Sequence, residues 1–117
     1  MPATKETKDL VQIAAKVAMD KLGENVVALD VTEPFALAEV FLVVSATNER
    51  QTQAIADAIE DEFLESKIKA RFREGRQAGR WILLDFGDLI VHVMHEQERE
   101  FYSLERLWSD CPVVAIA

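Results

Sequence analysis

The sequence predicts an α/β domain, a layered structure in which helices flank a mixed β-sheet. Three observations lead to this class. Two segments carry apolar residues at helical spacing, one run is apolar almost without interruption, and another run alternates apolar with basic residues. The helical and strand patterns follow one another along the chain, and the predicted order is α-β-β-α-β-β-β-α.

The length and composition are those of one globular domain. Chains of ~100–200 residues usually form a single core. Residues 1–117 are therefore assigned to one domain, with a core of about 5–110 and a short C-terminal tail. Cys111 is the only cysteine, which excludes an internal disulfide and fits a reducing cytoplasm. No apolar signal core or membrane span is recognisable, so a cytoplasmic location is expected.

The first helix and the first two strands are predicted in the N-terminal part of the chain. Apolar residues recur at helical spacing from about Lys5 to Leu22, and Gly23 offers a stop. Asn25–Val31 is a short β-rich run, which Glu33-Pro34 separates from the next element. Glu39–Ala46 is almost continuously apolar, as expected of a strand that is covered on both faces.

A second helix and a third strand are predicted next. Asn48 can accept a hydrogen bond from the free amides of a helix start while Gln51 reaches back, which is the pattern of a capping box. The buried stripe of this helix is predicted to contain Ile55, Ala58, Ile59 and Phe63. In Ile68–Arg73 apolar and basic residues alternate, which predicts a half-buried strand.

The C-terminal part predicts a β-hairpin and a closing helix. Arg80–Phe86 and Asp88–His95 are β-rich runs on either side of Gly87, where the chain is expected to turn. Gly87 suits that turn because it can adopt a positive φ without a steric clash. Glu96–Trp108 is predicted to form a helix that ends before Pro112. Its inward side chains are predicted to be Phe101, Leu104 and Trp108.

Candidates for metal or phosphate chemistry are weak. Asp85 begins an Asp-Phe-Gly tripeptide like the one that holds magnesium in protein kinases, but the glycine-rich loop and catalytic loop that accompany it are missing from the sequence. Asp30, Asp85 and Asp88 are the candidate ligands of a metal-dependent, nucleotidyltransferase-like enzyme, although the last two lie on opposite sides of a turn. His92 and His95 are three apart on a predicted strand, so they point to opposite faces and cannot chelate one ion. No catalytic residue, metal site or cofactor is predicted.

The charge distribution contains one basic segment in an acidic chain. A formal charge of −8 disfavours nucleic-acid binding by the surface as a whole. The local exception consists of Lys67, Lys69, Arg71, Arg73, Arg76 and Arg80. These residues form either a solvated polar face or a docking surface for phosphate groups, and a general RNA-binding module is a further hypothesis.

Trp81 and Phe86 lie at the two ends of one predicted strand. Being five residues apart, they face opposite sides of the sheet. Large aromatic residues at the rim of a hairpin are either anchors of a protein interface or closures of the hydrophobic core, and both interpretations stay open for these two.

The segment from Trp81 to Trp108 resembles the signature of the ribosomal silencing factor family, also called the Iojap family. The fixed positions of that signature fall on Trp81, Asp85, Gly87-Asp88, Val91-His92, Arg99, Tyr102, Leu104-Glu105 and Leu107-Trp108. Upstream matches are Leu29–Val31, Asn48–Gln51, Ala54–Asp57 and Glu74-Gly75. The chain departs from the family pattern at Ala38-Glu39, where Thr-Asp is usual, and at Ala46, where glycine is usual.

The resemblance implies a nucleotidyltransferase-like fold without transferase activity. It also implies binding to the large ribosomal subunit through ribosomal protein number fourteen, which blocks joining of the small subunit and represses translation when nutrients are limiting. Many family members form homodimers, so a homodimer is expected. The part of the motif that meets the ribosomal protein is matched by Trp81, Asp85 and Phe86. An additional docking surface beside ribosomal RNA is suggested for Arg71, Arg73, Arg76 and Arg80.

Overall fold

The computed structural model describes residues 2–116 of the chain. The helices are α1 (Lys5–Asp20), α2 (Glu49–Glu65), α3 (Glu96–Tyr102) and α4 (Leu104–Leu107). The strands are β1 (Glu24–Asp30), β2 (Val40–Ala46), β3 (Phe72–Glu74), β4 (Trp81–Asp85), β5 (Leu89–His95) and β6 (Val113–Val114). Among these residues, no helix combines the length and the apolar character needed to cross a membrane.

The strands form one mixed sheet in the order β3-β4-β5-β2-β1-β6. β2 and β5 are parallel, in register from Val40 opposite Leu89 to Ala46 opposite His95, and all other pairs are antiparallel. Every residue of both central strands is buried, as expected where a sheet is covered on two faces. The predicted α/β class with a mixed sheet is confirmed. β6 was not predicted: Val113 and Val114 extend the sheet by pairing with β1.

The two faces of the sheet are covered differently. One face, the helical face, is covered by α1 and α2, which contribute Val11, Ala14, Ala18, Ile55, Ile59 and Phe63 to the main core. The opposite face, the open face, is covered by the short α3 and α4, by their flanking segments and by the loop between β1 and β2, which contributes Phe35 and Ala38. Full burial of a large apolar side chain contributes about 1.5–3 kcal/mol to stability. Because most of the buried apolar residues belong to the main core, the helical face contributes most of the hydrophobic stabilisation.

The starts of the two long helices follow their sequence signals. The Oγ1 atom of Thr4 accepts from the backbone N–H of Thr7 at 3.3 Å and caps α1. Asn48 caps α2 as predicted, since its Oδ1 atom accepts from the N–H of Gln51 at 2.8 Å. The reciprocal bond differs from the prediction: the side chain of Gln51 accepts from the N–H of Thr47, one residue before the cap, at 3.0 Å. Within the predicted stripe of α2, Ala58 is only half-buried, and Ala56 is buried instead.

The predicted strand at Ile68–Arg73 is wrong in extent and in burial. The observed strand, β3, is limited to Phe72–Glu74, and all three of its residues are exposed. Ile68 leaves the strand direction because its N–H bonds to the carbonyl of Phe63 and its side chain packs on the core of the helical face. β3 is thus a short edge strand, a form that limits edge-to-edge pairing with other chains.

The predicted closing helix is interrupted at Ser103. This residue adopts a left-handed conformation with φ 47°, which separates α3 from α4. The break changes which side chains point inward. Leu104 is buried and Trp108 packs against both clusters of the open face, as predicted, but Phe101 is 80% exposed and its predicted inward orientation is wrong.

The two departures from the family pattern have defined places in the fold. The Oε1 atom of Glu39 accepts from the backbone N–H of Thr4 at 2.7 Å, so the longer carboxylate ties the start of α1 to the end of the loop before β2. Ala46 is a buried residue at the end of β2 and does not adopt a positive φ. Neither position requires the usual family residue for its backbone conformation.

Candidate docking surface

The Asp-Phe-Gly segment is the turn of a hairpin between β4 and β5. The N–H of Phe86 donates to the carbonyl of Leu89 at 2.9 Å, which closes the turn. Gly87 adopts a φ of 95°, and a Cβ atom there would meet nothing within 4 Å, so the positive φ is the only local reason for glycine. The carboxylate of Asp85 accepts from the N–H of Gly87 at 2.7 Å and pairs with Arg71 at 3.3 Å. Asp85 therefore stabilises the tip of the hairpin.

Phe86 lies on the helical face of that tip. Its ring packs against the ring of Phe63 with 4.5 Å between the centroids, and it borders the main core. The side chain is half-buried. In the isolated chain Phe86 closes the core at the end of α2, and only its outer edge is available to a partner.

Trp81 lies on the open face, on the other side of the sheet from Phe86, as the spacing of five residues between them predicted. The indole N–H donates to the Nδ1 atom of His92 at 3.1 Å, and the ring lies 4.9 Å from that of Tyr102. Tyr102 in turn contacts Phe101, with 5.0 Å between the centroids. Trp81, Tyr102 and Phe101 thus form a continuous series of rings, here called the aromatic surface.

The aromatic surface is open to solvent at its α3 end. Phe101 is 80% exposed, Tyr102 46% and the nearby α4 residue Leu107 73%. Exposed aromatic residues next to one another are typical of protein-interaction sites, where large rings anchor the interface. Sequence reasoning missed Phe101 because it assumed one continuous helix, and no pattern in the sequence marks Ser103 as left-handed.

His92 is the buried neighbour of Trp81. It is 6% exposed, and burial lowers its pKa to about 4, so the ring is neutral at physiological pH. Because Nδ1 accepts the bond from Trp81, the proton of the neutral ring is on Nε2. Nε2 is buried and has no hydrogen-bond partner among the residues that the structure describes. An unpaired buried donor typically costs about 1–3 kcal/mol.

His95 lies on the other face of β5, as predicted. Its Nδ1 atom accepts from the N–H of Gln97 at 3.1 Å and caps α3, and its Nε2 atom lies 3.4 Å from the carboxylate of Glu49. The two histidines therefore have separate surroundings. Within residues 2–116, no group of three or more histidine, cysteine or acidic residues is arranged to hold a metal ion.

Of the other two members of the acidic set, Asp88 is exposed beside the hairpin turn, and Asp30 is engaged near the N-terminus. Its carboxylate accepts from the N–H of Ala3 at 2.8 Å and from the hydroxyl of Thr32 at 2.6 Å. Burial by itself would raise the pKa of Asp30, but the hydrogen bonds from Thr32 and Ala3 outweigh it and lower the pKa below its ordinary value. This carboxylate anchors the chain before α1, whereas Asp85 anchors the hairpin tip.

The four arginines of the basic segment are paired with carboxylates of the same chain. Arg71 contacts Asp85, Arg73 contacts Glu60, Arg76 contacts Asp57, and Arg80 contacts both Glu49 and Glu98. The hydrogen bond from Arg76 lowers the pKa of Asp57 below its ordinary value. Most of these partners lie on α2, so the positive charge of the segment is balanced by the acidic side of that helix. The arrangement favours a solvated, internally paired face.

A buried arginine connects α3 to the sheet. Arg99 is 7% exposed and donates from Nη1 to the hydroxyl of Ser45 at 2.9 Å and from Nε to the carboxylate of Glu105 at 3.1 Å. These bonds hold α3 and α4 against β2, beside an open cavity of about 650 Å³. They give a structural reason for the arginine and the glutamate of the signature, since a buried charge is tolerated only when it is paired.

Comparisons with known proteins agree with the resemblance in the sequence. Residues 4–117 match the model of a family described as "Ribosomal silencing factor during starvation". The Bacillus subtilis protein named "Ribosomal silencing factor RsfS" is 41% identical over 106 residues, which cover 91% of this chain and 90% of that protein. A Mus musculus protein named "Mitochondrial assembly of ribosomal large subunit protein 1" is 26% identical over 83% of this chain and 47% of its own length.

The fold is also found in a solved structure. A crystal structure of protein CV0518 from Chromobacterium violaceum superposes with a TM-score of 0.84 and 28% sequence identity. The superposition covers 87% of this chain and 85% of the other. The sequence match extends over nearly the whole chain and the fold is shared, so this protein belongs to the ribosomal silencing factor family.

Proposed function

We propose that this protein represses translation by binding the large ribosomal subunit through ribosomal protein number fourteen, which blocks joining of the small subunit when nutrients are limiting. The protein acts in this proposal as a steric inhibitor and not as an enzyme. The observation that carries the proposal is the aromatic surface, which lies within the signature segment of the family. The family description supports a role in silencing ribosomes, and the name of the mouse relative, which refers to the large ribosomal subunit, supports that subunit as the target.

The proposed contact residues are Trp81, Asp85 and Phe86. Trp81 contributes through the aromatic surface on the open face. Asp85 and Phe86 contribute through the hairpin tip, where the edge of the phenyl ring remains accessible. Because Trp81 has no competing role in the main core, it is expected to contribute more to binding than Phe86.

Charge supports a basic protein as the partner. Exposed acidic residues of α3 and its C-terminal flank that have no ion pair among the described residues are Glu96, Glu100 and Asp110. These carboxylates outnumber the exposed Arg106 in the segment that carries Phe101 and Tyr102, and exposed acidic groups complement a basic protein surface and repel phosphate groups. A peripheral contact of Arg71, Arg73, Arg76 and Arg80 with ribosomal RNA remains part of the proposal, and it requires these residues to exchange their internal carboxylate partners. The proposal also includes a cytoplasmic homodimer, as many family members form one.

The proposal is tested by sedimentation of the protein with purified large subunits, followed by a subunit-joining assay. We expect the protein to move with the large subunit and to reduce the yield of joined ribosomes. Phe72→Ala is the matched control for substitutions in the aromatic surface and is expected to bind like the unsubstituted protein. Phe72 is also an exposed aromatic residue, but it lies on β3, outside the aromatic surface. A protein that stays at the top of the gradient and leaves joining unchanged contradicts the proposal. A specific heat of binding to nucleotide and magnesium would instead favour the enzymatic alternative.

A further inference from the structure

The indole of Trp81 is held from within the protein. Trp81 pairs with Met94 and Leu83 pairs with His92 across β4 and β5, so Trp81 and His92 are diagonal neighbours on the open face. The indole N–H is the only hydrogen-bond donor of a tryptophan side chain. Because it donates inward to His92 at 3.1 Å, the donor is not available to a partner. A partner therefore meets only the carbon surface of the ring.

His92 is a rigid support for this bond. Its backbone lies in the interior of the sheet, where β5 pairs with β2 at Val43 and with β4 at Leu83. The imidazole is 6% exposed and contacts the ring of Phe41, with 5.0 Å between the centroids. Its position is thus set by packing on several sides, whereas Trp81 is half-buried at the start of a strand.

The histidine at this position carries a cost of its own. The Nε2 atom is a buried donor with no partner among residues 2–116, and such a group is unfavourable. A phenylalanine would fill a similar volume without that penalty. The distinctive feature of the histidine is the acceptor that it presents to the indole of Trp81.

We propose that His92 is a positioning residue for docking: its Nδ1 atom accepts the indole N–H of Trp81 and holds the ring in the orientation in which Tyr102 packs against it. The inference rests on the proposed function, because Trp81 is the contact residue that His92 positions. A side chain that is already ordered loses less conformational entropy on binding, so the bond raises affinity without touching the partner.

Two substitutions separate the acceptor from the packing of the ring. His92→Phe keeps an aromatic ring and removes the acceptor, whereas His92→Asn removes the ring and keeps an acceptor oxygen at the position of Nδ1. We expect His92→Phe to weaken binding to large subunits by roughly five- to tenfold, the loss of one pre-ordered side chain. His92→Asn is expected to bind several-fold more tightly than His92→Phe, although its packing is poorer.

The same variants give a second readout in the free protein. Hydrogen exchange of the indole N–H of Trp81, followed by NMR with the indole of Trp108 as the internal reference, is expected to be slow in the unsubstituted protein and in His92→Asn. In His92→Phe it is expected to be fast. In a background of Trp81→Ala, replacing His92 by Phe is expected to cause no further loss of binding, since the two residues act through one contact.

The outcomes distinguish this inference from the proposed function. If the unsubstituted protein binds and His92→Phe binds equally well, or His92→Asn is the weaker of the two, His92 serves packing alone and the inference is overturned. If the unsubstituted protein does not bind large subunits, the proposed function fails and the positioning role is overturned with it. An additive loss in the double variant also overturns the inference.

Discussion

The helical face and the open face of the sheet differ in how completely they are covered. On the helical face two long helices bury Ile55, Ile59 and Phe63 against the strands. On the open face a helix interrupted at Ser103 leaves Phe101 and Tyr102 exposed beside Trp81. This difference indicates that the helical face provides most of the folding free energy, whereas the open face provides the surface for a partner.

The largest expected effect is the loss of stability on the helical face. Replacement of Phe63 by alanine removes a ring that is 1% exposed, so we expect a decrease of about 3–5 kcal/mol in the free energy of unfolding. Phe101→Ala, on the exposed aromatic surface, is the matched control and is expected to change stability by less than about 0.5 kcal/mol. Urea denaturation measures both values. Equal losses in the two variants would mean that the faces do not differ in this way.

The second effect is a pH dependence that originates on the open face. The pKa of His92 is lowered to about 4 in the folded state, so between pH 6.5 and 4 the unfolded chain binds more protons than the folded one. The contribution of neutral His92 to stability is complete above pH 6.5 and is lost as the pH falls. The loss is expected to approach roughly 3 kcal/mol near pH 4.

Denaturation at several pH values measures the slope of the free energy of unfolding against pH. His92→Phe is the control that lacks the contribution of the histidine. The pKa values of Asp30 and Asp57 are also lowered, and their contributions are lost only at more acidic pH. In the interval from pH 5 to 6.5, the difference between the unsubstituted protein and His92→Phe therefore reports on His92. A slope that persists unchanged in His92→Phe would assign it to other groups.

The third effect concerns docking and compares the two ends of β4. Trp81→Ala is expected to weaken binding to large subunits by about 2 kcal/mol or more, as for an aromatic hot spot, while the domain stays folded. Phe86→Ala is expected to weaken binding less and to lower stability more, because its ring packs on Phe63. Sedimentation and urea denaturation of both variants provide the comparison. Unchanged affinity in both would remove the two residues from the contact.

The smallest expected effect concerns the basic segment. Arg76→Gln breaks an exposed ion pair with Asp57, which is expected to cost less than about 1 kcal/mol of stability. If the arginines also contact ribosomal RNA, affinity for large subunits falls as the salt concentration rises. The logarithm of the binding constant is then expected to fall with the logarithm of the salt concentration, with a slope of ~0.7 for each neutralised phosphate of a single strand. Titration at several salt concentrations measures that slope. A slope that is the same in Arg76→Gln would exclude Arg76 from any RNA contact.

Local signals in the sequence were sufficient for much of the fold. The Asn48 cap, the almost continuously apolar run of β2 and the hairpin turn at Gly87 depend on neighbouring residues, and each was predicted. The opposite orientations of His92 and His95 follow from strand periodicity alone. The prediction of a strand at Ile68–Arg73 was wrong because alternation alone does not form a strand without a partner. Only Phe72–Glu74 pair with β4, and Ile68 packs on the main core instead.

The amino-acid pattern alone was enough to establish the α/β class, the hairpin that carries Trp81 and Phe86, and the family signature. It did so because periodicity, caps and glycine turns are encoded within a few residues of one another. The face of the sheet on which each aromatic residue lies, the exposure of Phe101 by the break at Ser103, and the carboxylate partners of the arginines became apparent from the folded chain. Those outcomes depend on contacts between residues far apart in the chain, such as Trp81 with Tyr102 and Arg76 with Asp57.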